Sequence, residues 1–254
     1  MYKLELFYLI FFFLFGLTFG SFFNVVGLRS PRTESFLYNR SCCPKCKRTL
    51  NWYELIPLFS FLIQQGKCRS CKMKISFIYP FVESLTGVLF AFGFWMIGFE
   101  WELITALLLI SMLMIIFVSD LKYMIIQNRI LLFFLPFFLF MRFIVPLGSW
   151  WSPIAGGLGA FLLVALLIIL SRGGMGAGDM KLFAVLGIVL GHEKIFLTFF
   201  LACFCGAFIG ILLMLFKLVK RKQPIPFGPY IVFAALISYF YGESIIDWYL
   251  SFLI

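Results

Sequence analysis

The sequence predicts an all-α polytopic membrane protein of about eight transmembrane helices with a small zinc-knuckle cytoplasmic loop. Three observations carry this. Hydrophobic residues make up 63% and charged residues 13% of the 254, with a mean hydropathy of +1.05, which excludes a water-soluble fold. Continuously apolar runs recur at lengths that cross roughly 30 Å of hydrocarbon, where only helices or closed barrels satisfy their backbone. Unbroken runs rather than alternation select helices over barrel strands. The third observation is that basic residues cluster in alternate connections, as a multi-pass topology requires.

The spans run, in order, over Leu6 to Leu28, Phe77 to Ile97, Leu103 to Ser119, Ile130 to Leu147, Ile154 to Leu170, Met180 to Leu190, Ile195 to Phe216 and Phe227 to Tyr241. The sixth is too short to cross alone as a straight helix. The first lacks a basic N-terminal region and an Ala-x-Ala exit, so it is expected to stay as an anchor rather than leave as a signal peptide.

A net charge of +10 invites a nucleic-acid reading, but the placement of the charges answers it. Eighteen of the 21 Lys and Arg fall on one face: ten between Arg29 and Lys74, then Lys122, Arg129, Arg172, Lys181, Lys217, Lys220, Arg221 and Lys222. Lys3, Arg142 and Lys194 fall on the other. The rich face is cytoplasmic by the positive-inside rule, both termini lie outside, and the expected environment is lipid, not nucleic acid. Glu100, Glu102, Glu193 and the Trp150–Trp151 pair suit the outer boundary.

The one sizeable soluble piece expected is the first cytoplasmic loop, Arg29 to Ser76. It carries Cys43-x2-Cys46, a gap of 21 residues and Cys68-x2-Cys71, close to the two-knuckle spacing of a tetrahedral zinc site. So short a loop buries too little apolar surface to fold alone, and a metal would supply the missing stability. A closed four-sulfur shell makes that zinc structural rather than catalytic. Reduced thiols without metal, or a redox pair, are the alternatives; the cytoplasm disfavours disulfides. Cys42 is a spare thiol, while Cys203 and Cys205 read as packing inside a span.

Asp120 closes the third span in FVSDLKY and Asp179 opens the sixth in GAGDMK, so the topology puts both at the cytoplasmic ends of their helices. An ionisable residue near the hydrocarbon edge costs a few kcal/mol unless it faces a cavity or a partner. Either could merely snorkel to water beside Lys122 or Lys181. Gly173, Gly174, Gly176 and Gly178, however, leave little side chain ahead of Asp179, so an extended peptide could approach it. If the two carboxylates meet, they cannot both ionise cheaply; a shared proton then lets the pair activate water and protonate the carbonyl under attack. Competing chemistries lack residues. The lone His192 sits on the outer face, and GGMGAGD has no Gly-Lys-Ser/Thr ending for phosphate.

With these residues in place, the chain resembles the type IV prepilin peptidase family, membrane aspartic proteases with a Gly-x-Gly-Asp motif. FGSFFNVVGLRSPR looks like that family's first span and its exit. The CPKC stretch through NWYELIPLFSFLIQQGKCRSCKMKISFIYPFVE is similar to its cysteine loop and second span. DLKYMIIQN resembles the segment bearing the first catalytic aspartate, GAGDMKLFAVLGIVLG the second, and PFGPY a late signature. One departure is visible: where the family usually has Ile-Pro-Asn, this chain has Ile126, Gln127 and Asn128.

The resemblance implies that Asp120 and Asp179 cut the short basic leader from type IV prepilins or pseudopilins after a glycine, at the cytoplasmic face of a bacterial inner membrane. Gly176, Gly178 and Lys181 would support the substrate and its loop. It also implies N-methylation of the new N-terminus from S-adenosylmethionine. The expected division is residues 1–28 as first helix, 29–76 as cysteine loop and 77–254 as peptidase core.

Other polar residues keep two readings each. Asn24 either bonds a neighbouring helix or serves the site, and Glu83 either pairs with a basic residue of the first loop or acts beside it. Lys181 steadies Asp179 or faces headgroups, and PIPFGPY is a signature or only a helix-entry turn. Glu34 and Glu54 are the local acids available to a basic leader. The rival from another class is a non-enzymatic adaptor or small ion-coupled transporter with a zinc-binding loop; a peptidase without methyltransferase activity is the second.

Overall fold

The computed structural model describes residues 2–32, 40–171, 175–220, 223 and 225–252. Glu34, Arg172, Gly173, Gly174, Arg221, Lys222 and Pro224 lie outside them. The described residues form eight α-helices and no strand: α1 Tyr2–Arg29, α2 Phe59–Ile63, α3 Ile78–Ile97, α4 Trp101–Tyr123, α5 Asn128–Ile144, α6 Ser152–Leu170, α7 Ala177–Leu215 and α8 Gly228–Leu250. By length and composition, six of them (α1, α3, α4, α6, α7 and α8) can cross a membrane. Helix α5, with 17 residues and Pro136 inside, is shorter than the roughly 20 residues a straight crossing needs.

All eight predicted apolar runs are helical, and the sixth and seventh are two helical segments joined across a kink within the stretch numbered α7. The kink is at Gly191, between the two predicted runs, where φ of 78° and ψ of 176° suit only glycine. The break leaves backbone groups without their helical partners, and side chains supply them. Arg142 Nε donates to the Val189 carbonyl at 2.9 Å, and Ser152 Oγ accepts the His192 N–H at 3.4 Å. Arg142, inside the predicted fourth span, is 6% exposed and bonded to the helix break.

The chain divides into two compact units, Met1–Val118 and Ser119–Ile254. In the first, α1 packs on α3. Gly16 lies against Gly87 and Thr86, and Gly20 against Glu83 and Thr86, the close approach that small residues allow between membrane helices. The Phe12 and Phe94 rings stack at 4.7 Å towards one end. Asn24, fully buried, donates to the Tyr79 carbonyl at 3.2 Å, the neighbouring-helix role its sequence position allowed. In the second unit, α7 packs against α5, α6 and α8, with Gly156 and Gly187 in backbone contact between α6 and α7.

Candidate functional site

In the second unit, Asp120 ends α4 and Asp179 sits in the first turn of α7; they are 5% and 8% exposed. Each carboxylate is held by a backbone N–H. Gly228, at the start of α8, donates to Asp120 Oδ2 at 2.7 Å, so the unpaired donors and positive dipole of that helix terminus face the carboxylate. Gly176 donates to Asp179 Oδ2 at 3.1 Å, closing the first turn of α7.

The chain after Asp120 ties the two segments together. Met124 turns with φ of 55° and donates its N–H to the Asp120 carbonyl at 2.8 Å. Ser119 Oγ then donates to the Ile125 carbonyl at 2.6 Å, and Gln127 Nε2 donates to Ser119 Oγ at 3.1 Å. Both Ser119 and Gln127 are buried. Thus the turn where a proline is usual is held by a side-chain amide instead. Ile126 packs on Gly178, where an added Cβ would lie 3.0 Å from the Ile126 Cβ.

Lys181, which is exposed, donates from its Nζ to Asn128 Oδ1 at 3.1 Å, adding a second tie between the Asp120 and Asp179 segments. Gly176 has an ordinary extended conformation, φ of −74° and ψ of 140°, so its part in this structure is its N–H and its small size.

Sequence reasoning missed Gly228 as a partner of Asp120 and treated PFGPY as a possible entry turn. It is that, since Pro229 opens α8, and the same turn aims the N–H. The only signal available was the late signature itself.

In the first unit, the sulfur atoms of Cys43, Cys46, Cys68 and Cys71 lie within 4.8 Å of one another, and this set could hold a metal ion. The Cys43 and Cys71 sulfurs are 3.6 Å apart, near the roughly 3.8 Å edge of a tetrahedron with 2.3 Å metal–sulfur bonds.

Two equivalent turns build the cluster. Cys43 N–H donates to the Arg48 carbonyl and Lys47 N–H to the Cys43 carbonyl; Cys68 and Lys72 repeat this with Met73 and Cys68. Lys47 and Lys72 both turn at positive φ, 58° and 56°. The N–H groups of Cys71 and Ser70 bring the Cys68 thiol down to about 6. Those of Cys46 and Lys45 lower Cys43. Cys46 receives the Arg48 N–H, yet desolvation and the neighbouring thiols push it up to about 11. The lowered Cys43 and Cys68 suit a donor set whose protons a cation would replace.

Glu54, buried beneath this cluster's first knuckle, pairs with Arg48 at 2.6 Å. Glu83 holds the loop by a different partner from the basic residue expected: its Oε2 accepts the Leu58 backbone N–H at 2.8 Å.

Two family models match in tandem: one described as Bacterial Peptidase A24 N-terminal domain over residues 14–97, the other as Type IV leader peptidase family over residues 107–211. A prepilin leader peptidase/N-methyltransferase of Bacillus subtilis (strain 168) is 44% identical over 239 residues, covering 94% of this chain and 96% of the relative. The chain belongs to the type IV leader peptidase family. Relatives of the same name from Aeromonas hydrophila and Pseudomonas aeruginosa are 34% and 30% identical, each covering 94% of this chain and 92% of the relative. No solved structure matches at a significant level.

As a member of this peptidase family the chain is an enzyme, and its apolar helices make it a multi-pass membrane protein. The leader peptidase match contains both Asp120 and Asp179 and ends at residue 211, so Gly228 falls beyond it. The N-terminal match contains the whole cysteine loop.

Proposed function

We propose that this enzyme removes the leader from type IV prepilins or pseudopilins after a glycine, at the cytoplasmic face of the bacterial inner membrane, using Asp120 and Asp179 as an aspartic pair. One proton held between the two carboxylates lets one of them activate water while the other protonates the scissile carbonyl. The single observation that carries this reading is that two carboxylates 59 positions apart in the chain, both in the second unit, are buried and each accepts a backbone N–H. An isolated acid at membrane depth needs a partner or a cavity, and here each has a partner. Gly176 puts no side chain of its own beside Asp179, Gly178 admits Ile126 against the start of α7, and Lys181 braces the Asn128 segment.

Zinc is the metal we assign to Cys43, Cys46, Cys68 and Cys71, on sulfur spacing and a closed four-thiolate shell. Its role is to fold the loop between α1 and α3. The division into first helix, cysteine loop and peptidase core over 1–28, 29–76 and 77–254 belongs to the same proposal.

The names of the relatives also support methylation of the new N-terminus, for which S-adenosylmethionine is the donor the resemblance implies. In the first unit the buried side-chain atoms without a partner, among the described residues, are Asn24 Oδ1, Arg48 Nε and Thr105 Oγ1, and no contact with the donor is assigned.

The test is purified enzyme in vesicles with a full-length prepilin, with and without S-adenosylmethionine, read by intact mass. Removal of the leader without donor, and one added methyl group with it, is the expected result. Unprocessed prepilin in both arms would favour an adaptor or transporter.

A further inference from the structure

We infer that the Phe59–Ile63 helix of the cysteine loop lies in the lipid leaflet, as an interfacial anchor for the metal cluster, rather than in the aqueous phase where a loop of this composition is expected. The pin at Leu58 carries the inference. The Leu58 N–H is bonded to Glu83 Oε2 at 2.8 Å, and Glu83 is the sixth residue of α3, a membrane-crossing helix. Five residues of helix correspond to about 7–8 Å along its axis. Helical side chains lean back towards the N-terminus, which brings the pin to about one turn (roughly 5 Å) inside the start of the span.

Helix α2 begins at that pin. A second contact fixes its other side: the Phe61 ring meets the Phe77 ring edge-on at 6.3 Å, and Phe77 immediately precedes α3. At this depth α2 turns Phe59, Leu62 and Ile63 outward, 53%, 62% and 76% exposed, in the i, i+3, i+4 pattern of one helix face. The exposed apolar surface continues onto Phe77, Tyr79 and Phe81 at the start of the span, so lipid that covers α3 reaches α2 without a break.

Charge agrees with the depth. Lys67, Arg69, Lys72 and Lys74 follow α2 directly and are exposed or nearly so, as basic residues at an anionic headgroup layer are. Trp52, 78% exposed, precedes α2 in the same loop, and tryptophan is enriched at that boundary. The occupant of this face is therefore lipid. The metal cluster is consequently held against the membrane surface, and the inference stands whether or not the aspartate reading does.

The experiment uses the full chain in phosphatidylcholine–phosphatidylglycerol vesicles. Ile63→Trp and, as a conservative second probe, Phe59→Trp are each compared with the wild-type chain so that the added emission is isolated from the six native tryptophans. Because an interfacial face reaches about 5–10 Å into the headgroup–acyl boundary, phospholipids brominated near the top of their chains should cut that added emission about twofold, with aqueous iodide having little effect. Quenching by iodide and not by bromine would put α2 in water and overturn the inference. Emission shielded from both quenchers would mean that protein covers the face, and would overturn it equally.

Discussion

Gly228 gives its backbone N–H to Asp120 across 108 positions of chain, at 2.7 Å. The contact leaves no room for a side chain, since a Cβ on Gly228 would lie 2.6 Å from Asp120 Oδ2 and 2.8 Å from its Cβ. Gly228→Ala must move either the α8 terminus or the carboxylate. Displacement of a reacting group by about 1 Å costs on the order of a hundredfold in rate. We expect Gly228→Ala to lower leader cleavage by that order, with membrane insertion and metal content unchanged; a timed prepilin cleavage assay beside metal analysis checks it.

The turn after Asp120 offers a subtler test. Gln127→Ala removes the amide donor to Ser119 Oγ but leaves the Ser119 bond to Ile125. Loss of one buried hydrogen bond is worth about 1 kcal/mol. Thermal unfolding in detergent should show that loss, and cleavage should fall about tenfold through the rate at saturating prepilin, because Asp120 is the neighbour whose position relaxes. Gln127→Met, which removes the donor while keeping the length and adding no charge, should behave like the alanine variant.

Much of this architecture is legible in the sequence because hydropathy alone locates helices in a membrane chain. The four cysteines announce their cluster by spacing, and Asp120 and Asp179 by being acids where acids are costly. What is hidden is anything carried by the backbone. The Gly228 N–H has no side-chain signature, and the kink between the sixth and seventh runs is set by one glycine dihedral. The role of Arg142 is hidden for a related reason: its partner is a backbone carbonyl beside a break in another helix.

The break itself predicts a cost. Gly191→Ala forces a Cβ to within 2.6 Å of Ser152 Oγ, at a backbone conformation that L side chains rarely adopt. Conformational strain alone at such a site is about 1–3 kcal/mol. The variant should unfold at lower temperature than wild type by circular dichroism, and Arg142→Leu should do so too, by leaving the Val189 carbonyl without its donor.

The cysteine cluster predicts a pH dependence with a definite sign. Cys68 is lowered from an ordinary value of 9.0 to about 6, so its contribution to folding is complete only above the ordinary value and is lost as pH falls through about 6. A bound cation follows the same direction, because thiolates, not thiols, bind it. Metal should be released as the pH is lowered through that range, and Cys68→Ser should release it at neutral pH. Metal analysis after gel filtration at stepped pH reads both, with about one ion per chain expected at the alkaline end.

The most direct test is leader cleavage by Asp120→Asn and Asp179→Asn, each purified with its metal content verified against wild type. Both substitutions keep the side-chain shape but take away the acid–base group, so each should reduce cleavage by at least about a hundredfold while metal stays bound. Either variant cleaving prepilin at the wild-type rate would contradict the paired-carboxylate account.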